Sequence, residues 1–106
     1  MQKLKDKGIK IELDKERYLK FNFNTLVDLE ERFGSLIEME KALANPSMKD
    51  VRFILYTTLK DDDDTLTERK VGDIINLDKL GYITEKLTEG LSDSLPVAGE
   101  DDEEKN

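Results

Sequence analysis

Ile9-Lys10-Ile11-Glu12-Leu13-Asp14-Lys15-Glu16-Arg17-Tyr18-Leu19-Lys20-Phe21-Asn22-Phe23-Asn24-Thr25-Leu26-Val27-Asp28-Leu29-Glu30-Glu31-Arg32-Phe33-Gly34 changes its apolar period partway along. Ile9, Ile11 and Leu13 alternate with Lys10 and Glu12, and Leu19, Phe21 and Phe23 alternate with Tyr18, Lys20 and Asn22. A period of two marks a half-buried strand. Beyond Asn24 the apolar residues are Leu26, Leu29 and Phe33, three to four apart, which marks one face of a helix. Asp14-Lys15-Glu16 is a polar turn between the two alternating arms. The stretch therefore predicts a β-hairpin over 9–23, then a helix capped by Asn24 and ended by Gly34. A lone hairpin is marginal in water, so its apolar face has to lie on helices.

The rest of the chain reads as helix. Ser35-Leu36-Ile37-Glu38 is a capping box, followed by a stripe of Leu36, Ile37, Met39 and Leu43 that Asn45-Pro46 stops. Ser47 caps a third helix carrying Val51, Ile54, Leu55 and Leu59, with Phe53 and Tyr56 beside them. This is the most apolar segment and is expected at the centre of the core. Asp61 to Asp64 interrupts it. Thr67 caps a fourth helix, with Leu66 and Val71 as a hydrophobic staple and with Ile74 and Ile75 pointing inward. Asp78 is expected to cap a fifth, with a Leu77–Tyr82 staple. The predicted fold is α+β, mostly α: a hairpin packed on a bundle of about five helices spanning about 24–92. One domain over 1–95 is expected, with an acidic tail or linker over 96–106. Glu100 to Asn106 holds five acids, one Lys and no apolar residue, a composition that predicts disorder.

Composition narrows the function classes. The 106 residues contain no Cys, His or Trp. Disulfides, the usual zinc ligands and the usual general base are thereby missing, and an enzyme is not expected. Asp and Glu number 25 against 17 Lys and Arg, a net charge of -8 that nucleic-acid phosphates repel. No apolar run is long enough for a membrane span, and the basic start lacks the apolar stretch of a secretory signal, so a cytoplasmic location is expected. A calcium loop counted from Asp61 needs Gly where Leu66 stands and a closing Glu where Gly72 stands. The acidic run is read as a solvated loop. No phosphate-binding glycine loop or catalytic signature is present, and no catalytic residue, metal or cofactor is expected.

The last helix offers the candidate partner-binding residues. Its stripe of Leu80, Ile83, Leu87 and Leu91 continues to Leu95 and Val97, past the expected end of the compact fold. Gly81 and Gly90 weaken it as a free-standing helix. A weak helix with a sustained apolar stripe can serve a docking surface.

Four blocks, in order, carry a family resemblance. They are the hairpin, Leu29-Glu30-Glu31-Arg32-Phe33-Gly34, the apolar helix Asp50-Val51-Arg52-Phe53-Ile54-Leu55-Tyr56-Thr57-Thr58-Leu59, and the helix start Leu66-Thr67-Glu68. Over about residues 9–95 the chain resembles the small tail assembly chaperones of long-tailed, non-contractile bacteriophages and prophages. The resemblance implies a protein that binds the tape measure protein, keeps it soluble, helps the tail tube protein polymerise around it, and leaves the finished tail. Self-association fits the same picture. Many such chaperones have a second, longer form made by a backward ribosomal frameshift. The resemblance implies that this chain is the short form, and Glu104-Lys105-Asn106 is compatible with the codons GAA-AAA-AAC, which hold a slippery run.

Other classes predict other features. A small structural tail or head-tail connector protein would stay in the virion. An acidic mimic of DNA would carry regular rows of charge on a rigid surface, whereas half of the net charge here falls in residues 100–106.

Overall fold

A computed structural model describes residues 8–94. Strands β1 (Ile9–Glu12) and β2 (Glu16–Leu19) form an antiparallel hairpin. Helices α1 (Phe23–Phe33), α2 (Leu36–Ala44), α3 (Met48–Leu59) and α4 (Glu68–Ile74) follow, then a 3-10 turn (Leu77–Lys79) that runs into α5 (Leu80–Ser94). This is the expected α+β arrangement. The expected tail over 96–106 lies outside the described residues.

Strand pairing sets Ile9 opposite Leu19 and Ile11 opposite Arg17. Paired residues share a face, so Ile11, Leu19 and Arg17 all point at the core. Ile11 and Leu19 are fully buried, and Arg17 is only 6% exposed. The alternation of Leu19, Phe21 and Phe23 does not continue as a strand. β2 stops at Leu19, and Phe23 opens α1 and is 78% exposed. The helix cap is Asn22, not Asn24: the Asn22 side-chain oxygen accepts from the Thr25 backbone N–H at 2.9 Å. An N-cap stands two or three residues before the amide that it satisfies, and the helix begins where its buried face, Thr25 and Leu29, meets the core.

Most of the other expected boundaries hold. Gly34 adopts φ +96°, and its N–H donates to Glu30 O at 2.7 Å, closing α1 with the left-handed residue that glycine adopts freely. Ser35, Ser47 and Thr67 accept from the amides of Glu38, Asp50 and Lys70 at 3.0–3.1 Å. The last cap is shifted: Asn76, not Asp78, accepts from the Asp78 amide at 2.9 Å. Leu77 is 68% exposed and so provides no staple. Ile37 is also exposed, at 65%, because the buried line of α2 runs through Met39 and Leu43, and Ile37 lies off that line.

α3 is the central element. It touches β2 and each of the other four helices, and it buries Val51, Ile54, Leu55, Thr57, Thr58 and Leu59. The Thr58 hydroxyl donates back to the Ile54 and Leu55 carbonyls, at 3.0 and 2.9 Å, which satisfies it inside the core. The Lys20 N–H donates to Thr58 O at 2.9 Å and ties the end of the hairpin to α3. At its other end the hairpin is tied to α5 and to the 3-10 turn before it. The Glu12 N–H donates to the Tyr82 hydroxyl at 2.9 Å, and Lys79 Nζ donates to Glu12 O at 3.3 Å.

The acidic loop is not simply solvated. Arg17 donates twice to Asp14, at 2.8 and 2.9 Å, and once to Asp63 at 3.2 Å. Asn22 Nδ2 donates to Asp61 at 2.6 Å, and Lys20 pairs with Asp62 at 3.5 Å. Three of the four acids thus fasten the loop to the hairpin, the residue after it and the cap of α1.

Candidate partner-binding surface

Residues predicted for partner binding divide on their position in the fold. Ile83, Leu87 and Leu91 are buried in the hydrophobic core, so they are packing residues and not a free docking stripe. The reason is geometric. α5 lies across β1, α2 and α3, and its apolar line is the lid that a two-stranded hairpin requires. Gly90 permits this approach: a Cβ there would sit 2.3 Å from the Phe21 ring. Leu95 and Val97 lie outside the described residues. Only Leu80 remains in contact with open surface, where it is half-buried.

Leu80 lines a groove of about 530 Å³ that the stripe alone does not reveal. Leu43 and Ala44 at the end of α2, Pro46 in the link, and Met48 and Val51 at the start of α3 form one side. Leu80, Gly81, Thr84 and Glu85 of α5 form the other. Local chemistry opens it. Pro46 cannot continue α2, so the chain turns between Ala44 and Met48 before α3 begins. Gly81 contributes no side chain, and a Cβ built at that position meets nothing within 4 Å. Met48, the first residue of α3, is 68% exposed. Leu77 lies one turn before Gly81 and is equally exposed. In the sequence, the available signals for this site were Asn45-Pro46 as a helix stop and Gly81 near a helix start. Neither distinguishes a groove from an ordinary bend.

The groove is lined mostly by apolar groups, and Glu85 is its charged residue. Glu85 is exposed and has no ion pair among the described residues, whereas Lys86, next to it, pairs with Glu89 at 3.6 Å. Such a lining can bind an apolar side chain and attract a cation. It has no nucleophile paired with a base.

Titration is perturbed elsewhere, around the hairpin. Hydrogen bonds from Thr65, then from Arg17, pull the Asp63 carboxyl down to about 2. The guanidinium of Arg17 holds Asp14 below its ordinary value, and Arg17 is itself raised by Asp14. Lys60 is raised by its 2.8 Å hydrogen bond to Asp28. Each shift follows from a partner that braces the fold. Among the described residues, no group of three or more Asp or Glu is placed to hold a metal ion.

Two of the blocks that carry the family resemblance also meet in space. Arg32 stacks on Phe53 at 4.3 Å, and Phe33 meets Phe53 edge-on at 6.4 Å, so the Leu-Glu-Glu-Arg-Phe-Gly block packs on the apolar helix. Arg52 of that helix fills the space that Gly72 leaves open: a Cβ on Gly72 would lie 3.3 Å from Arg52 Cδ.

No helix of the described residues is long and apolar enough to cross a membrane. No protein-family model, curated protein or solved structure matches this chain.

Proposed function

We propose that this chain is a tail assembly chaperone of a long-tailed, non-contractile bacteriophage or prophage. In this reading it binds the tape measure protein in the host cytoplasm, keeps it soluble, assists polymerisation of the tail tube protein around it, and is absent from the finished virion. The observation that carries the reading is the order of the four sequence blocks: the hairpin, Leu29 to Gly34, Asp50 to Leu59, and Leu66-Thr67-Glu68. An apolar groove left open on a small acidic domain supports it. A long helical protein awaiting assembly exposes apolar stripes, and a small domain that covers one stripe weakly can prevent aggregation and later be displaced by tube subunits. The net charge of -8 keeps such a coated complex dispersed.

Co-expression with the tape measure protein tests this directly. The soluble yield of the tape measure protein should rise, the two should co-purify, and mass spectrometry of purified virions should not find this chain. Retention in the virion would instead favour a small structural tail or connector protein. Sequencing the codons of Glu104 to Asn106 tests the second, longer form: GAG-AAG-AAT would rule out the slippery run.

A further inference from the structure

The geometry points to a specific occupant of the groove between α2, α3 and α5. We propose that it takes an apolar side chain from a helical segment of another protein, with a Lys or Arg of that segment set about one turn away against Glu85. The proposal rests on the reading of this chain as a protein-binding module.

Shape comes first. Leu43, Val51 and Leu80 contribute apolar surface, Gly81 leaves an opening, and Met48 stands exposed at the edge. At about 530 Å³ the space is large enough for an inserted side chain. It is open to solvent rather than enclosed, which suits an anchor carried on a surface more than a small molecule that must be surrounded. A groove between helices matches the recognition mode in which an apolar helix face lies across two neighbours.

Three occupants compete, and two are disfavoured on physical grounds. The chain's own Leu95 and Val97 follow Ser94 by one and three residues and reach at most roughly 10 Å from it. Leu80 and Gly81 lie about 20 Å back along the helix axis. A second copy brings another net charge of -8, and a two-fold contact through the groove would bring Glu85 toward Glu85. A cationic helical segment is attracted by the same features, because Glu85 is the charged group of the lining and has no ion pair among the described residues.

The test uses the full chain and fluorescence anisotropy with two labelled helical peptides. One carries a Leu anchor with a Lys one turn away, and the other has Glu in place of that Lys. The Lys peptide should bind saturably, and the Glu peptide about two- to five-fold more weakly, the size of an exposed ion pair. Gly81→Gln should fill the groove and abolish binding. Its melting temperature should be equal or higher, since a Cβ there meets nothing and glycine is a poor helix former. Glu85→Lys should invert the preference between the peptides. Unchanged binding by Gly81→Gln, equal affinity for both peptides, or no saturation with either overturns the proposal. So does a dimer, seen by sedimentation, that Gly81→Gln dissolves, and so does a gain in peptide affinity on deleting residues 95–106. Failure of the chaperone reading is distinguishable. If the unmodified chain captures no tape measure protein yet binds the Lys peptide, the groove stands and the chaperone reading falls. If capture persists in Gly81→Gln, the reverse holds.

Discussion

Two residues show how closely single side chains are fitted. At Gly90 a methyl group would lie 2.3 Å from the Phe21 ring, so Gly90→Ala forces the ring or the helix to move. Helix propensity favours Ala by up to about 1 kcal/mol, but overpacking costs about 1–3 kcal/mol. The clash should win, and Gly90→Ala should lower the urea midpoint, with Phe21→Leu restoring part of the loss. Thr25 presents the opposite case. Its hydroxyl is buried with no hydrogen-bond partner among the described residues. Valine has nearly the same shape and no polar atom to desolvate, so Thr25→Val should raise stability by about 1 kcal/mol, measured by thermal unfolding. A lower melting temperature would mean that the hydroxyl has a partner after all.

At the scale of elements, the hairpin is held by charge on one side and by apolar packing on the other. Arg17 joins the hairpin turn at Asp14 to the loop at Asp63. Asp63 titrates at about 2 in the folded chain against an ordinary 3.8. A depressed carboxyl stabilises the fold above its unfolded value and loses that contribution as pH falls toward the folded one. Asp14 shifts the same way, chiefly through the hydrogen bond from Arg17, whereas Thr65 is the main cause at Asp63. The melting temperature should therefore fall as pH drops from about 4 toward 2, and Asp63→Asn should flatten that slope while lowering stability at neutral pH. An identical acid profile in the variant would show that the clamp contributes nothing. On the apolar side, α5 is core and groove wall at once. Leu87→Ala should cost about 2–5 kcal/mol because Leu87 is fully buried and its loss leaves a cavity in the core. Leu80→Ala, at the half-buried groove edge, should cost clearly less by the same urea titration. Equal costs would return Leu80 to the core.

For the molecule as a whole, the acidic loop ties the hairpin to the helices through cations and neutral donors that the protein supplies itself. Asp61, Asp62 and Asp63 accept from Asn22, Lys20, Arg17 and Thr65. Calcium and EDTA should accordingly leave the melting temperature unchanged, and a clear rise with calcium would show that the carboxylates exchange these partners for a metal. The division between pattern and packing runs through the same residues. Local pattern was enough for the class of fold, the order of elements, four of the caps or stops (Gly34, Ser35, Ser47 and Thr67), and the central place of α3. These follow from local period and from side chains that reach only three or four residues along the backbone. It took the packed fold to establish that Phe23 and Ile37 face water, that Arg17 points inward, and that Ile83, Leu87 and Leu91 are core while Leu80 borders an open groove. An apolar stripe has the same spacing whether it meets a core or a partner. Which one it meets depends on contacts between residues distant in the chain, such as Gly90 with Phe21 and Arg17 with Asp63, and periodicity along one helix carries no record of them.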